Sequence, residues 1–147
     1  MLPTFSGFLD APTIATLLGF SIAVRSGFAR ICSPDYPYIY HIIIYGRCAE
    51  RANVAADTAL RLDADVSVFW TASKVEASIS ARLRAPLDKE LGINLGTVMQ
   101  EMGKIVGGNG GGHACAAGAY GPKRESAQEA GEEAVRRIKE KMSAAPR

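Results

Sequence analysis

The sequence predicts an α+β domain built on a single mixed β-sheet flanked by helices, with a helical and strand extension at the N-terminus. Three observations carry this expectation. Strand-like segments alternate with helix-like ones in the order α, β(β), α, β, β, α, glycine loop, β, α. The 147 residues, 48% hydrophobic and 22% charged, suffice for one domain with a substantial interior. No internal repeat or long linker divides the chain.

The first segment reads as a helix capped by Asp10, with Pro12 in its first turn, where a missing N–H is tolerated, and a break around Gly27. Phe28 to Cys32 and Tyr38 to Tyr45 (YIYHIIIY) are rich in β-branched and aromatic residues, and the SPDYP between them suits a turn. The second is expected to be a strand and the first its hairpin partner. The alanine-rich RCAERANVAADTALRL predicts a helix with Val54, Ala55, Thr58, Ala59 and Leu62 along its inner side. VSVFW follows as a short apolar strand.

In VEASISARLRA the period is two, with Val75, Ala77, Ile79, Ala81 and Leu83 on one face and Glu76, Ser78, Ser80, Arg82 and Arg84 on the other. Such a polar row on a central strand is either solvated or part of a site. Asn94 is an N-cap for LGTVMQEMGKIV, whose Leu95, Val98, Met99, Met102, Ile105 and Val106 form one apolar stripe, with the methionines in the core. That helix should stop at Gly107. A glycine loop then enters a strand of small side chains, and RESAQEAGEEAVRRIKEKM makes a terminal helix with Glu132–Arg136 and Glu133–Arg137 pairs.

Composition narrows the function. The formal charge is +2, from 17 Lys and Arg against 15 Asp and Glu, so nucleic-acid binding by bulk charge is excluded and any such binding must use a local patch. The longest apolar run, Ala11 to Val24, is 14 residues, shorter than the roughly 18–20 that span a bilayer. It lacks the basic flank of a signal peptide, and no membrane role is expected. Cys32, Cys48 and Cys115 are odd in number and widely spaced, which fits a reducing, cytoplasmic setting better than a disulfide framework. With two histidines, His41 and His113, and six scattered aspartates, no metal site and no cofactor are expected.

The most informative segment is GGNGGGH, Gly107 to His113, with five glycines in seven positions. Glycines remove the Cβ atoms that keep a ligand away from main-chain amides, and His113 adds one side chain at the end. The glycines close a helix instead of opening one and no Gly-Lys-Ser/Thr follows, which excludes a Walker loop and a dinucleotide fingerprint alike. Gly110, Gly111, Gly112 and His113 form either a tight turn or a phosphate-binding loop. Arg82 and Arg84, with Ser80, are either a solvated strand face or guanidinium forks for phosphate. Lys104, Lys123 and Arg124 read as surface charge, although they lie where a basic groove would extend. Tyr38, Tyr40 and Tyr45 read as sheet packing before base stacking. His41 reads as a core or edge histidine, and Asn109 as a left-handed turn residue.

Taken with its flanks, GGNGGGHACAAGA resembles the signature of the DHH-associated domain, the C-terminal substrate-binding domain of RecJ-like and oligoribonuclease-like DHH phosphoesterases. AADTALRLDADVSVFW is similar to that family's helix-strand lead-in, SISARLR to its Ser-x-x-Arg strand, and NLGTVMQEMGKIVGGNGGGHACAAGA to its helix and GGGH loop. The likeness runs from about Ala56 to the terminal helix. The related domain of alanyl-tRNA synthetases usually lacks the histidine, which places this sequence nearer the archaeal RecJ-like proteins.

The resemblance implies a division into an N-terminal extension over residues 1–45, packed on a nucleic-acid or substrate-binding domain over 46–142, with a frayed tail over 143–147. Complete family members carry Asp and His clusters, including Asp-His-His, that bind two divalent metals, and this sequence has none of them. The expected role is therefore binding of single-stranded DNA, RNA or a short oligonucleotide without catalysis, through Ser80, Arg82, Arg84, Gly110, Gly111, Gly112 and His113. A stand-alone module and an excised fragment of a phosphoesterase both fit. The alternative role is an assembly subunit of the kind associated with the archaeal GINS replication complex, docking a protein partner or a second copy. Any phosphoesterase activity would need catalytic residues from another chain.

Overall fold

The computed structural model describes residues 5–9, 25–32 and 40–143. The predicted Asp10 helix, the SPDYP turn, Tyr38 and the tail beyond Ser143 lie outside these residues. In chain order the elements are β1 (Phe5–Leu9), β2 (Arg25–Cys32), β3 (Tyr40–Arg47), α1 (Ala52–Arg61), β4 (Val66–Ala72), β5 (Ala77–Leu83), α2 (Leu87–Leu91), α3 (Leu95–Ile105), β6 (Asn109–Gly112), β7 (Ala116–Gly121), a 3₁₀ turn (Arg124–Ser126) and α4 (Ala127–Ser143).

The strands form one mixed sheet in the order β1-β2-β3-β4-β5-β7-β6. β3 and β4 are parallel, joined by the crossover helix α1, and the other neighbours are antiparallel. The hairpin partner expected for β3 is present as β2, beginning at Arg25, so Gly27 sits inside a strand and not at a helix end. β3 runs across residue 45, so the residues before and after it share one strand.

The larger core lies between the sheet and the pair α3 and α4. Ala77, Ile79, Ala81 and Leu83 of β5 all point into it, as their alternation requires. Leu95, Met99, Met102 and Val106 are buried across from them, and Asn94 caps α3 by accepting from the Thr97 N–H at 3.3 Å. Gly107, at φ 75°, ends that helical run as expected. On α4, Glu133 pairs with both Arg136 and Arg137, at 2.7 and 2.9 Å. The expected Glu132–Arg136 pair is absent, because Arg136 bridges Glu133 and Glu140 while Glu132 accepts from Gln128.

A smaller core lies under α1, on the other face of the sheet. Here the sequence expectation needs correction: the buried stripe is Ala52, Ala55, Ala56 and Ala59, while Val54 and Leu62 are 37% and 41% exposed. Alanines let the helix lie directly on Phe69, and the Ser67 hydroxyl donates to the Ala56 carbonyl at 2.7 Å. Burying Phe69 alone stabilises the fold by roughly 1.5–3 kcal/mol. Among the described residues, no helix is long and apolar enough to cross a membrane.

Candidate functional site

Strand register fixes what shares a face. On the α1 side of the sheet, Ser67, Arg82 and Ala116 form one row, Phe69, Ser80, Gly118 and Gly111 the next, and Thr71, Ser78, Tyr120 and Asn109 a third. Helix α1 lies over β4 and β5, so the half of this face formed by β7 and β6 is open. Tyr120 is 54% exposed there.

The glycine segment is not a free loop. Gly107 and Gly108 make the turn, and Asn109–Gly112 continues as β6, the edge strand, which returns through a hairpin closed by the His113 N–H donating to the Ala116 carbonyl at 2.8 Å. Two of its glycines are required by packing. A Cβ on Gly110 would stand 1.8 Å from the Met99 carbonyl oxygen of α3, and one on Gly112, at φ 141°, would stand 2.6 Å from the Ala116 carbonyl. Gly96 and Gly103 of α3 are the matching small positions, with Cβ positions 2.5 Å from the Gly112 oxygen and the Gly110 nitrogen.

Gly111 differs, because a Cβ there meets nothing within 4 Å. Its neighbour Gly118 lies against Ser80, which is buried: a Cβ at 118 would stand 3.8 Å from Ser80 Oγ and 3.0 Å from the Ile79 carbonyl. Ladder alternation also turns the N–H groups of Gly110 and Gly112 away from β7, the first of them against Gly103 of α3.

Arg82 stands between α1 and this open half. Its Nε donates to Asp57 Oδ1 at 2.7 Å and its Nη1 to the Ala81 carbonyl at 2.9 Å, and Nη2 has no partner among the described residues. His113 continues the row of Arg82 and Ala116 at the hairpin, about two strand spacings or roughly 10 Å from Arg82, and is exposed. Arg84 is placed otherwise. Its Nη2 donates to the carbonyls of Leu60 and Ala64 at 2.6 and 2.9 Å, capping the end of α1, so it does not join the glycine half. The structure thus brings Ser80, Arg82, Gly111 and His113 to one face and turns the missing side chains of Gly110 and Gly112 to the other.

Below Arg84, Asp65 accepts from the Ile42 N–H at 2.9 Å and lies 3.7 Å from His41. Burial pushes its carboxyl up, but the bonds from His41 and Ile42 and the charges of His41 and Arg84 outweigh this and hold it below the usual carboxylate range. Tyr45 is half-buried beneath Lys139, whose Nζ is 5.3 Å from the ring centre, and Lys104 is paired with Glu101. Burial, followed by the charge and hydrogen bond of Asp88, raises the Cys115 thiol, and burial raises Cys48 to about 11, so neither is a ready nucleophile. Among the described residues no group of three or more His, Cys, Asp or Glu is placed to hold a metal.

Sequence reasoning missed Gly118 and Tyr120. Both were legible as the face of AAGAYG that alternation aligns with Ser80 and Ser78.

The C-Ala domain of Aquifex aeolicus alanyl-tRNA synthetase is similar in structure, with a TM-score of 0.53 and 24% identity over 71% of this chain and 93% of that one. A pGpG-specific phosphodiesterase from Vibrio cholerae has a TM-score of 0.45 and 18% identity over 71% of this chain. The DHH domain of a member of a ribosomal-protein family has a TM-score of 0.49 and 12% identity over 91% of this chain. This chain spans only 35% and 31% of those two. No curated protein matches it. The family match is to the DHHA1 domain, over residues 36–144, a span that holds β3, α1, the Ser80–Arg82 strand and the whole glycine hairpin, and no catalytic DHH domain accompanies it in these 147 residues; the chain belongs to the DHHA1 domain family.

Proposed function

We propose that this domain binds single-stranded nucleic acid or short oligonucleotides across the open glycine half of the α1 face, as a RecJ-like accessory module without catalysis of its own. The observation that carries this reading is the row Ser80, Gly118, Gly111, in which Ser80 is buried at the α1 end and the two glycines leave the β7 and β6 end without side chains, beside Arg82. A phosphate can approach such a strip to hydrogen-bonding distance, with Arg82 Nη2 on one side and His113 on the other. Tyr120, exposed one row along, offers a ring on which a base stacks.

Few cations face this surface and Asp57 competes for Arg82, so binding is weak and its dependence on salt is shallow. Fluorescence anisotropy with labelled single-stranded DNA and RNA tests this. Saturable binding at low salt, weakened at moderate salt and abolished in the Arg82→Ala/His113→Ala double variant, supports the reading. No binding at low salt overturns it, and manganese-dependent nuclease activity of the purified chain overturns its non-catalytic part. One observation favours a second reading, an assembly subunit: β6 is the last strand of the sheet among the described residues, an edge of the kind that can pair with a partner strand, from another protein or a second copy. Retained partner binding in the double variant separates the two.

A further inference from the structure

On the opposite face of the sheet from Gly111 and Arg82, the carboxyl ends of β3 and β4 and the start of α4 enclose a cavity of about 410 Å³. Arg47, Trp70, Ala72, Arg124, Glu125 and Gln128 line it. Arg47 and Trp70 are register partners on adjacent parallel strands, and Arg124 opens the 3₁₀ turn that leads into α4. Crevices at the carboxyl ends of parallel strands are recurrent ligand sites.

Trp70 carries the argument. It is 4% exposed, and its Nε1–H is buried without a hydrogen-bond partner, alone in this among the buried side-chain polar atoms of the described residues. An unpaired buried donor of this kind costs about 1–3 kcal/mol. The indole meets α4 through its Cγ, Cδ2 and Cε3 side, where Gly131 makes room for it, and Trp70 lines the cavity with its Nε1 closed to water while the cavity is empty.

The two arginines point the same way. Neither Arg47 nor Arg124 forms an ion pair among the described residues, and both are exposed, so both guanidinium groups are free to take an anion. The backbone donors at the start of α4 add little, because the Ser126 N–H is bonded to Lys123 and the Ala127 N–H to Arg124.

We propose that this cavity is a binding site for a phosphate monoester. Arg47 and Arg124 take two of its oxygens and Trp70 Nε1–H donates to a third, while Glu125 and Gln128 meet the hydroxyl groups of the remainder. Two guanidinium forks can each hold phosphate oxygens, whereas a carboxylate has oxygens enough for only one fork; charge alone does not choose between them, because Glu125 shares the lining. The cavity is larger than a bare phosphate needs and within the range of small-molecule sites. This assignment does not rest on the nucleic-acid reading, since none of its residues belongs to that face.

The chain has a single tryptophan, so its one indole N–H resonance reports directly on the donor. We expect inorganic phosphate to move that resonance saturably, ribose 5-phosphate to do so at lower concentration, and acetate at matched ionic strength to leave it in place. Arg47→Gln and Arg124→Gln should each weaken phosphate about tenfold or more, with Arg124→Lys intermediate. The Arg82→Ala/His113→Ala variant should keep the full response. An indole resonance unmoved by millimolar phosphate and ribose 5-phosphate, a shift that survives in the Arg47→Gln/Arg124→Gln double variant, or acetate as effective as phosphate would each overturn the proposal.

Discussion

The glycines of the β6–β7 hairpin face two ways, and the two sets exist for different reasons. Gly110 and Gly112 look toward α3 and the returning strand, where a Cβ would stand 1.8 and 2.6 Å from backbone oxygens. Gly111, between them, looks the other way into open space. The first set lets a helix lie against an edge strand at backbone contact, which fixes that strand in place. The middle residue gains nothing from such packing. A run of glycines in the sequence is therefore two interleaved signals, one for packing and one for access, and only the alternation of a strand separates them.

The largest effect expected is from Gly110→Ala. The new Cβ meets the main chain of α3 and not a side chain that can swing aside, so the helix and strand must part. Overpacking at that distance should cost about 3 kcal/mol or more, a large share of an ordinary domain's stability. Urea unfolding would show a strongly lowered midpoint. A variant as stable as the parent would break the packing half of the comparison.

The arginines of β5 make the next test. Arg84→Ala strips the Leu60 and Ala64 carbonyls of their partner and should destabilise by about 1 kcal/mol while leaving nucleic-acid affinity nearly unchanged. Arg82→Ala removes a surface pair with an exposed Asp57 and a bond to the Ala81 carbonyl beside it, and should cost less than Arg84→Ala, about 0.5 kcal/mol, yet weaken nucleic-acid binding. Measuring both variants by urea unfolding and by anisotropy gives the crossed pattern or refutes it. Equal losses of affinity would return Arg84 to the binding face.

Much of this architecture was legible in the sequence. The two-residue period of ASISARL and the apolar stripe of α3 placed β5 and α3, although Val75, read on the same face, is 76% exposed ahead of the strand and Ser80 on the polar face is buried. What failed was of another kind. Val54 and Leu62 are the bulky residues of α1, yet the alanines are buried, because the clearance over Phe69 selects small side chains over hydrophobic ones. β6 reads as a loop because glycine has the weakest strand tendency, and the strand exists through its packing on α3. In the same way Arg84 shares a face with Arg82 by period, and only the end of a helix 20 or more residues earlier shows why it is occupied.

A smaller effect separates parent from variant by pH at the start of β4. Because the Asp65 carboxyl is held below its ordinary value, its contribution to stability is fully present above the unfolded-state pKa, near 4, and is lost as the pH falls through the lower folded value. Asp65→Asn should be less stable at neutral pH and should lose stability less steeply on the acid side. Denaturation midpoints between about pH 6 and pH 3 would show this flattening, and parallel curves for parent and variant would rule it out.

The smallest stability change is expected at Gly111, and it is the most informative. A Cβ at this position meets nothing within 4 Å and the backbone is not left-handed, so Gly111→Ala needs no adjustment of the fold. Replacing a glycine by alanine at such a place restricts the unfolded chain and should stabilise by about 0.4–1 kcal/mol. The same methyl group would stand on the bare glycine strip that a phosphate must approach. The variant should therefore be as stable as the parent or slightly more so, and bind single-stranded nucleic acid less well. A stable Gly111→Ala protein with undiminished affinity would leave the open glycine without a ligand to explain it, and would move the binding surface elsewhere on the domain.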